Sequence, residues 1–146
     1  PLITPKNIEV LDAWVKQKRT FYNGKTPRTV WLSEQGFNSR DYSQQSLMEQ
    51  AAGMAYTWKK IKPFDSIETF VYHNWVDNEH EDGLLLGLRK LPAENRDPKP
   101  IWYLYRDLDT PNEDAACDFA KDLIGIETWD RIRHTEPILE TSLIEY

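Results

Sequence analysis

The chain has only one cysteine, Cys117, among its 146 residues. A single cysteine excludes a disulfide bond within the chain and any zinc or iron–sulfur site built from several cysteines. No apolar run approaches the ~18–20 residues of a membrane-spanning helix, and no segment has the composition of a signal peptide. We therefore expect no membrane partner. Because the first residue is Pro1 rather than methionine, we expect a mature product, a trimmed chain or a fragment.

Basic residues are fewer than acidic ones, with 18 Lys and Arg against 24 Asp and Glu and a net charge of -6. Phosphate binding needs clustered Lys and Arg, so we expect no nucleic-acid partner. Aromatic residues are abundant, at 12% of the chain with six tryptophans. This content is too high for a disordered chain and predicts one packed segment over residues 1–146.

Helices are predicted where capping residues precede apolar positions at helical spacing. They are a helix capped by Thr4 with Pro5 at its first position, a helix over 44–61 capped by Ser43 and ended by Pro63, a helix over 100–108, and a helix that begins with a Thr110–Glu113 capping box and ends at Gly125.

Strands are predicted over 28–33 and 67–73, which are short and rich in β-branched and aromatic residues. Alternation of helices and strands predicts parallel strands joined by right-handed crossovers. Trp31 is expected in the core of the first strand. Two strands leave both sheet edges open, so the chain has the pattern of a part of a larger α/β structure.

Glu34 comes directly after the first predicted strand, at its carboxyl end. Ligands of parallel α/β folds collect there because the loops converge. We expect this carboxylate to be partly desolvated, which would tune it for acid, base or nucleophile chemistry. The alternative is a structural glutamate that hydrogen-bonds the turn at residues 36–38.

The second predicted strand ends in His73, Asn74 and Trp75. Neighbouring parallel strands would place these side chains beside Glu34 in one cleft. The flat face of Trp75 matches the C–H surface of a pyranose ring, which favours a sugar-stacking platform. A lid over the core is the other interpretation of Trp75.

The densest acidic stretch runs from Asp77 to Gly83. His73, Asp77 and His80 are residue types that ligate transition metals, but their spacing matches no metal motif. We therefore predict no metal and no other cofactor, and a solvated loop that contributes substrate-binding groups. Cys117 lies between alanine and aspartate next to an apolar helix face, which is typical of a packed residue rather than a nucleophile.

Several segments together resemble one known family. Residues 28–39, with Ser33-Glu34-Gln35-Gly36, resemble the seventh strand of retaining glycoside hydrolases, which presents a glutamate nucleophile. Residues 70–75 and 81–88 resemble the eighth strand and its loop, and residues 98–105 the helix that follows. The combination is similar to an uncharacterised bacterial family of the glycoside-hydrolase TIM-barrel clan. The fold that this implies is α/β, the C-terminal portion of a (β/α)8 TIM barrel with about strands 7 and 8.

The activity implied by the resemblance is retaining hydrolysis of an O-glycoside, with Glu34 as nucleophile. The same resemblance places Trp75 or His73 at the subsite of the scissile sugar, and we also expect Asn38, Asn74 and Asp77 to bind substrate. The acid/base of such enzymes lies on a strand that has no counterpart here. The resemblance thus implies a carbohydrate substrate, a missing N-terminal part as partner, an inactive isolated chain, and a periplasmic or secreted location.

Two other functions fit the residues. One is a carbohydrate-binding barrel without catalysis, in which Glu34 only accepts a hydrogen bond. The other is a small self-assembling α/β protein whose copies pair strand edges.

Overall fold

The computed structural model describes residues 2–133, and the tail from residue 134 onward lies outside them. The elements that position the site are two strands and five α-helices, joined by short 3-10 turns. In chain order they are α1 (Glu9–Val15), β1 (Val30–Gln35), α2 (Gln44–Ile61), β2 (Ile67–Tyr72), α3 (Pro100–Asp107), α4 (Glu113–Cys117) and α5 (Phe119–Ile124). None of the helices in this range is long and apolar enough to span a membrane.

The two strands form a parallel pair, as the alternating pattern predicted. Val30 pairs with Ile67 and Gln35 with Tyr72, with register shifts between them. Helix α2 is the crossover that connects the strands. β1 begins and ends two residues later than predicted, so Glu34 lies inside the strand rather than after it.

The predicted bounds of α2 are confirmed, from its Ser43 cap to Ile61. The Ser43 hydroxyl accepts a hydrogen bond from the Ser46 amide, which satisfies one of the free donors of the first turn. The Thr4 cap is confirmed as well. It starts a 3-10 turn over Pro5–Asn7, and α1 follows.

The core lies between helices rather than within the sheet. The α2 residues in this core are three alanines and one methionine, and the small alanine side chains let α3 and α5 approach closely. The fully or nearly fully buried apolar side chains there are Ala51, Met54, Ala55, Ile101, Leu104, Cys117 and Ala120. Burial raises the pKa of the Cys117 thiol to about 11, in keeping with the packed role predicted for it.

The prediction of a TIM-barrel portion is wrong for the described residues. They form a two-stranded parallel sheet on a helical core, and barrel strands are instead covered on both faces. Neither strand contributes a fully buried side chain. Trp31, expected in the core, is 66% exposed, and its indole N–H donates to Glu68 across the strands at 2.8 Å.

The predicted Thr110–Glu113 capping box is also wrong, because other groups use the Glu113 carboxylate. Lys59 of α2 and the C-cap residue Lys62 donate to the two Glu113 oxygens at 2.7 Å each, and the Asp109 amide donates at 3.0 Å. Helix α4 therefore begins at Glu113. A second short helix, α5, ends at Ile124, and Gly125 is its C-cap. The ion pairs of Glu113 with Lys59 and Lys62 connect the C-terminal helices to the end of α2.

Glu113 makes the fold sensitive to acid. Burial raises the pKa of this carboxyl, but hydrogen bonds from Lys59 and Lys62 outweigh that effect and lower the pKa to about 2. A depressed folded-state pKa stabilises the protein above the unfolded value near 4.5, and the stabilisation is lost as pH falls from about 4.5 to about 2. We expect the melting temperature of Glu113→Gln to fall less over this range than that of the wild type. The exposed Glu127→Gln should retain the wild-type slope, and parallel curves for all three proteins would contradict this assignment.

Candidate functional site

The carboxyl edge of the sheet is the end at which β1 and β2 finish. The His73 amide donates to the Gln35 carbonyl at 2.8 Å, which continues the ladder past both strands and places Glu34 and His73 side by side. Gly36 is required at the turn that follows, because a Cβ there would lie 2.5 Å from the His73 carbonyl oxygen. The sequence prediction that these two strand ends meet is confirmed.

Four side chains at this edge form a polar group that we call the edge cluster: Glu34, His73, Asn74 and Glu81. Nε2 of His73 lies 3.1 Å from Oε1 of Glu81, and Nδ1 lies 3.9 Å from Oε1 of Glu34. The imidazole ring therefore stands between two carboxylates. Asn74 donates its amide N–H to the same Glu81 oxygen at 3.1 Å.

The two carboxylates of the edge cluster differ in their exposure to solvent. The Glu34 side chain is 75% exposed, so the expectation that it is partly desolvated is wrong. It projects from an uncovered face of a two-stranded sheet, and no further strand lies over it among the described residues. The Glu81 side chain is only 19% exposed. A solvated carboxylate thus lies next to a largely buried one, with His73 between them.

Trp75 follows Asn74 directly in the chain and is 56% exposed. Its ring packs edge-on against Trp102, with centroids 4.8 Å apart and planes at 85°. This contact fixes the ring while a large part of its surface stays open to solvent. Asn38 has a different task, because its side-chain oxygen accepts the Leu85 amide N–H at 2.8 Å and so orders the loop after Glu81.

Asp77, predicted to bind substrate, lies away from the edge cluster in a buried network. It is 3% exposed and accepts hydrogen bonds from the Lys99 ammonium at 2.8 Å, the Gly87 amide at 2.7 Å and the Tyr42 hydroxyl at 2.8 Å. Lys99 is fully buried and also donates to the Leu85 carbonyl at 3.0 Å. Burial lowers the pKa of Lys99, and Asp77 opposes that effect.

This network holds the segment from residue 74 to residue 99 against the body of the protein. Gly87 lies so close to it that a Cβ would be 2.2 Å from the Asp77 amide nitrogen. The Leu88 and Arg89 amides donate to the Asn74 and Trp75 carbonyls at 3.0 and 3.1 Å. The segment thereby supports the backbone that carries the site.

The residues that sequence reasoning did not select are Glu81 and Lys99. Glu81 contacts His73 and Asn74 from 8 and 7 residues away, and Lys99 contacts Asp77 from 22 residues away, so no local motif marks either residue. His80 lies outside the edge cluster, and its amide donates to the Asn78 side chain at 3.1 Å. Within residues 2–133, no group of three or more His, Cys, Asp or Glu side chains is placed to hold a metal ion.

The fold and site together define a small α/β protein with a polar cluster at the carboxyl edge of a parallel strand pair. The model of a family of unknown function, DUF5722, matches residues 1–132, so the chain belongs to that family. No curated protein and no solved structure matches the chain.

The Asp77–Lys99 pair predicts a large and selective effect on stability. Lys99→Ala leaves the Asp77 carboxylate buried without its cation, and we expect a loss of about 3–5 kcal/mol in the free energy of unfolding. Lys25→Ala is the control, since Lys25 is an exposed lysine outside this network and its truncation should cost less than about 1 kcal/mol. Urea denaturation followed by tryptophan fluorescence measures both values. Equal midpoints for the two variants would show that the buried pair is not formed.

Proposed function

We propose that the carboxyl edge binds a glycoside and that Glu34 is the nucleophile of a retaining hydrolysis reaction. The supporting observation is the placement of an exposed Glu34 carboxylate beside His73, which lies two residues before the half-exposed Trp75. A sugar stacked on Trp75 would present its hydroxyls to the edge cluster. The resemblance of residues 28–39 to a nucleophile-bearing strand supports the same role for Glu34.

The proposed reaction is a double displacement. A Glu34 oxygen attacks the anomeric carbon, the bond from that carbon to the leaving oxygen breaks, and an acid transfers its proton to that oxygen. Water then attacks the same carbon, gives its proton to the conjugate base of that acid, and releases Glu34. We assign the acid/base to a carboxyl group outside this chain, supplied by the rest of a larger protein or by a partner polypeptide.

Carbohydrate binding without cleavage is a second candidate, and the high exposure of Glu34 favours it. Enzymes stabilise charge in sites from which water is excluded, whereas Glu34 is open to solvent. In this case Trp75 supplies the stacking surface, and the edge cluster supplies hydrogen bonds to sugar hydroxyls.

Trapping with activated fluorosugars tests the nucleophile. A fluoride leaving group needs no acid catalyst, so the missing acid/base does not prevent the first step. We expect 2-deoxy-2-fluoro-β-glucosyl fluoride, its galactosyl analogue or 5-fluoro-α-glucosyl fluoride to add one glycosyl group to the chain, located at Glu34 by peptide mass mapping.

The matched variants are Glu34→Gln and Glu68→Gln, since Glu68 is an exposed glutamate on the neighbouring strand. Glu34→Gln should abolish the adduct, and Glu68→Gln should leave it unchanged. The absence of an adduct with all three probes, or an adduct that persists in Glu34→Gln, would overturn the hydrolase proposal.

Binding without cleavage makes a separate prediction for Trp75. We expect Trp75→Ala to weaken the affinity for cellohexaose, xylohexaose or mannohexaose about tenfold, because a stacked aromatic contact is lost. Trp31→Ala is the control, since it removes a tryptophan that is somewhat more exposed, at 66% against 56%, and lies near the start of β1 rather than at the carboxyl edge. Calorimetric titration of the glycan that binds most tightly measures the affinity. Equal affinities of the two variants for that glycan, or no binding of any of the three by the wild type, would exclude Trp75 as the platform.

A further inference from the structure

We propose that Glu81 is a positioning residue that orients both His73 and Asn74 toward the substrate, an inference that rests on the proposed function. One oxygen of Glu81 accepts from two consecutive side chains, His73 Nε2 and Asn74 Nδ2, both at 3.1 Å. No other carboxylate of the described residues bonds to either of these atoms. A single acceptor therefore fixes the orientation of both polar side chains at the end of β2.

The contact with Glu81 determines which ring nitrogen of neutral His73 carries the proton. A carboxylate is an acceptor, so Nε2 must carry the proton that it donates to Glu81. In the neutral ring, Nδ1 is then an unprotonated acceptor, and it points toward Glu34 at 3.9 Å. This distance is too long for a hydrogen bond between His73 and Glu34. A sugar hydroxyl beside the attacked carbon is a donor that can use this nitrogen, and hydrogen bonds of that kind strengthen in glycosyl transfer.

Two buried acceptors lie next to this contact. Asn74 Oδ1 and Glu81 Oε2 are shielded from solvent and have no hydrogen-bond partner among the described residues. Buried acceptors are normally satisfied, and an internal water molecule is the donor that atoms shielded from solvent need. Glu81 itself is largely buried, which separates it from the exposed Glu34 and suits an orienting role rather than attack on substrate.

The test compares Glu81→Met with Glu81→Gln. Methionine has a similar length but no acceptor oxygen, whereas the glutamine amide oxygen can still accept from His73 and Asn74. Glu79→Met is the control, since Glu79 lies exposed in the same loop. The first readout is the ¹⁵N chemical shifts of the His73 ring, which distinguish the two neutral tautomers and need no substrate.

We expect His73 of the wild type to be in the Nε2–H form, Glu81→Met to lose this preference, and Glu81→Gln and Glu79→Met to retain it. An Nδ1–H ring in the wild type, or an unchanged tautomer in Glu81→Met, would overturn the inference. This result is independent of the trapping experiment, so the inference and the proposed function can fail separately.

The second readout is the rate of trapping by a saturating 5-fluoro-glucosyl fluoride, because this probe keeps the hydroxyl beside the attacked carbon and the 2-deoxy-2-fluoro probes do not. Loss of the oriented contacts should lower this rate about tenfold in Glu81→Met, and Glu81→Gln should restore most of it. If Glu81 only fills space, Glu81→Met should keep the trapping rate and Glu81→Gln should lower it, because the apolar methionine would substitute well for a largely buried side chain. Equal saturating rates for Glu81→Met and Glu79→Met would therefore overturn the positioning role.

Discussion

The buried ion pair between Lys99 and Asp77 is the interaction on which the rest of the site depends. An isolated charge in the interior is costly, and here both charges are buried and supplied with further hydrogen bonds. The pair joins the loop after β2 to the residue that precedes α3. Because the ladder from residue 74 to residue 89 is built on this loop, the geometry of His73 and Asn74 depends on a contact away from the edge cluster.

The protein separates the groups that hold the structure from the groups that are open to ligands. Small side chains of α2 allow a helical core that excludes solvent, and Glu113 connects that core to the C-terminal helices. The sheet lies at one side of the core and leaves Glu34 and Trp75 exposed. Glu81 connects these two groups of residues. Its largely buried carboxylate accepts hydrogen bonds from His73 and Asn74 and so holds them against the loop that follows β2.

The sequence predicted local structure well and long-range contacts poorly, for physical reasons. The Ser43 cap and the apolar spacing of α2 are signals within one helix, and strand composition is equally local, so these elements were found. The prediction that Trp31 lies in the core was wrong because the alternation of side chains along a strand does not show which face of the sheet another element covers. Glu34 was expected to be desolvated for the same reason. Glu81 and Lys99 were missed because their partners lie 8 and 22 residues away, on either side of irregular chain.

Exposure of Glu34 constrains how the proposed chemistry can operate. Hydrogen bonds and charges stabilise a developing oxocarbenium ion most where water is excluded. The described residues leave this carboxylate largely open, whereas His73 beside it is about one-third exposed. Efficient hydrolysis therefore requires a second surface to close over Glu34, and the same surface is the natural source of the acid/base. Binding alone has no such requirement, since stacking on an exposed Trp75 works at an open site. The degree to which Glu34 is buried when a ligand is bound thus separates the two proposed functions on physical grounds.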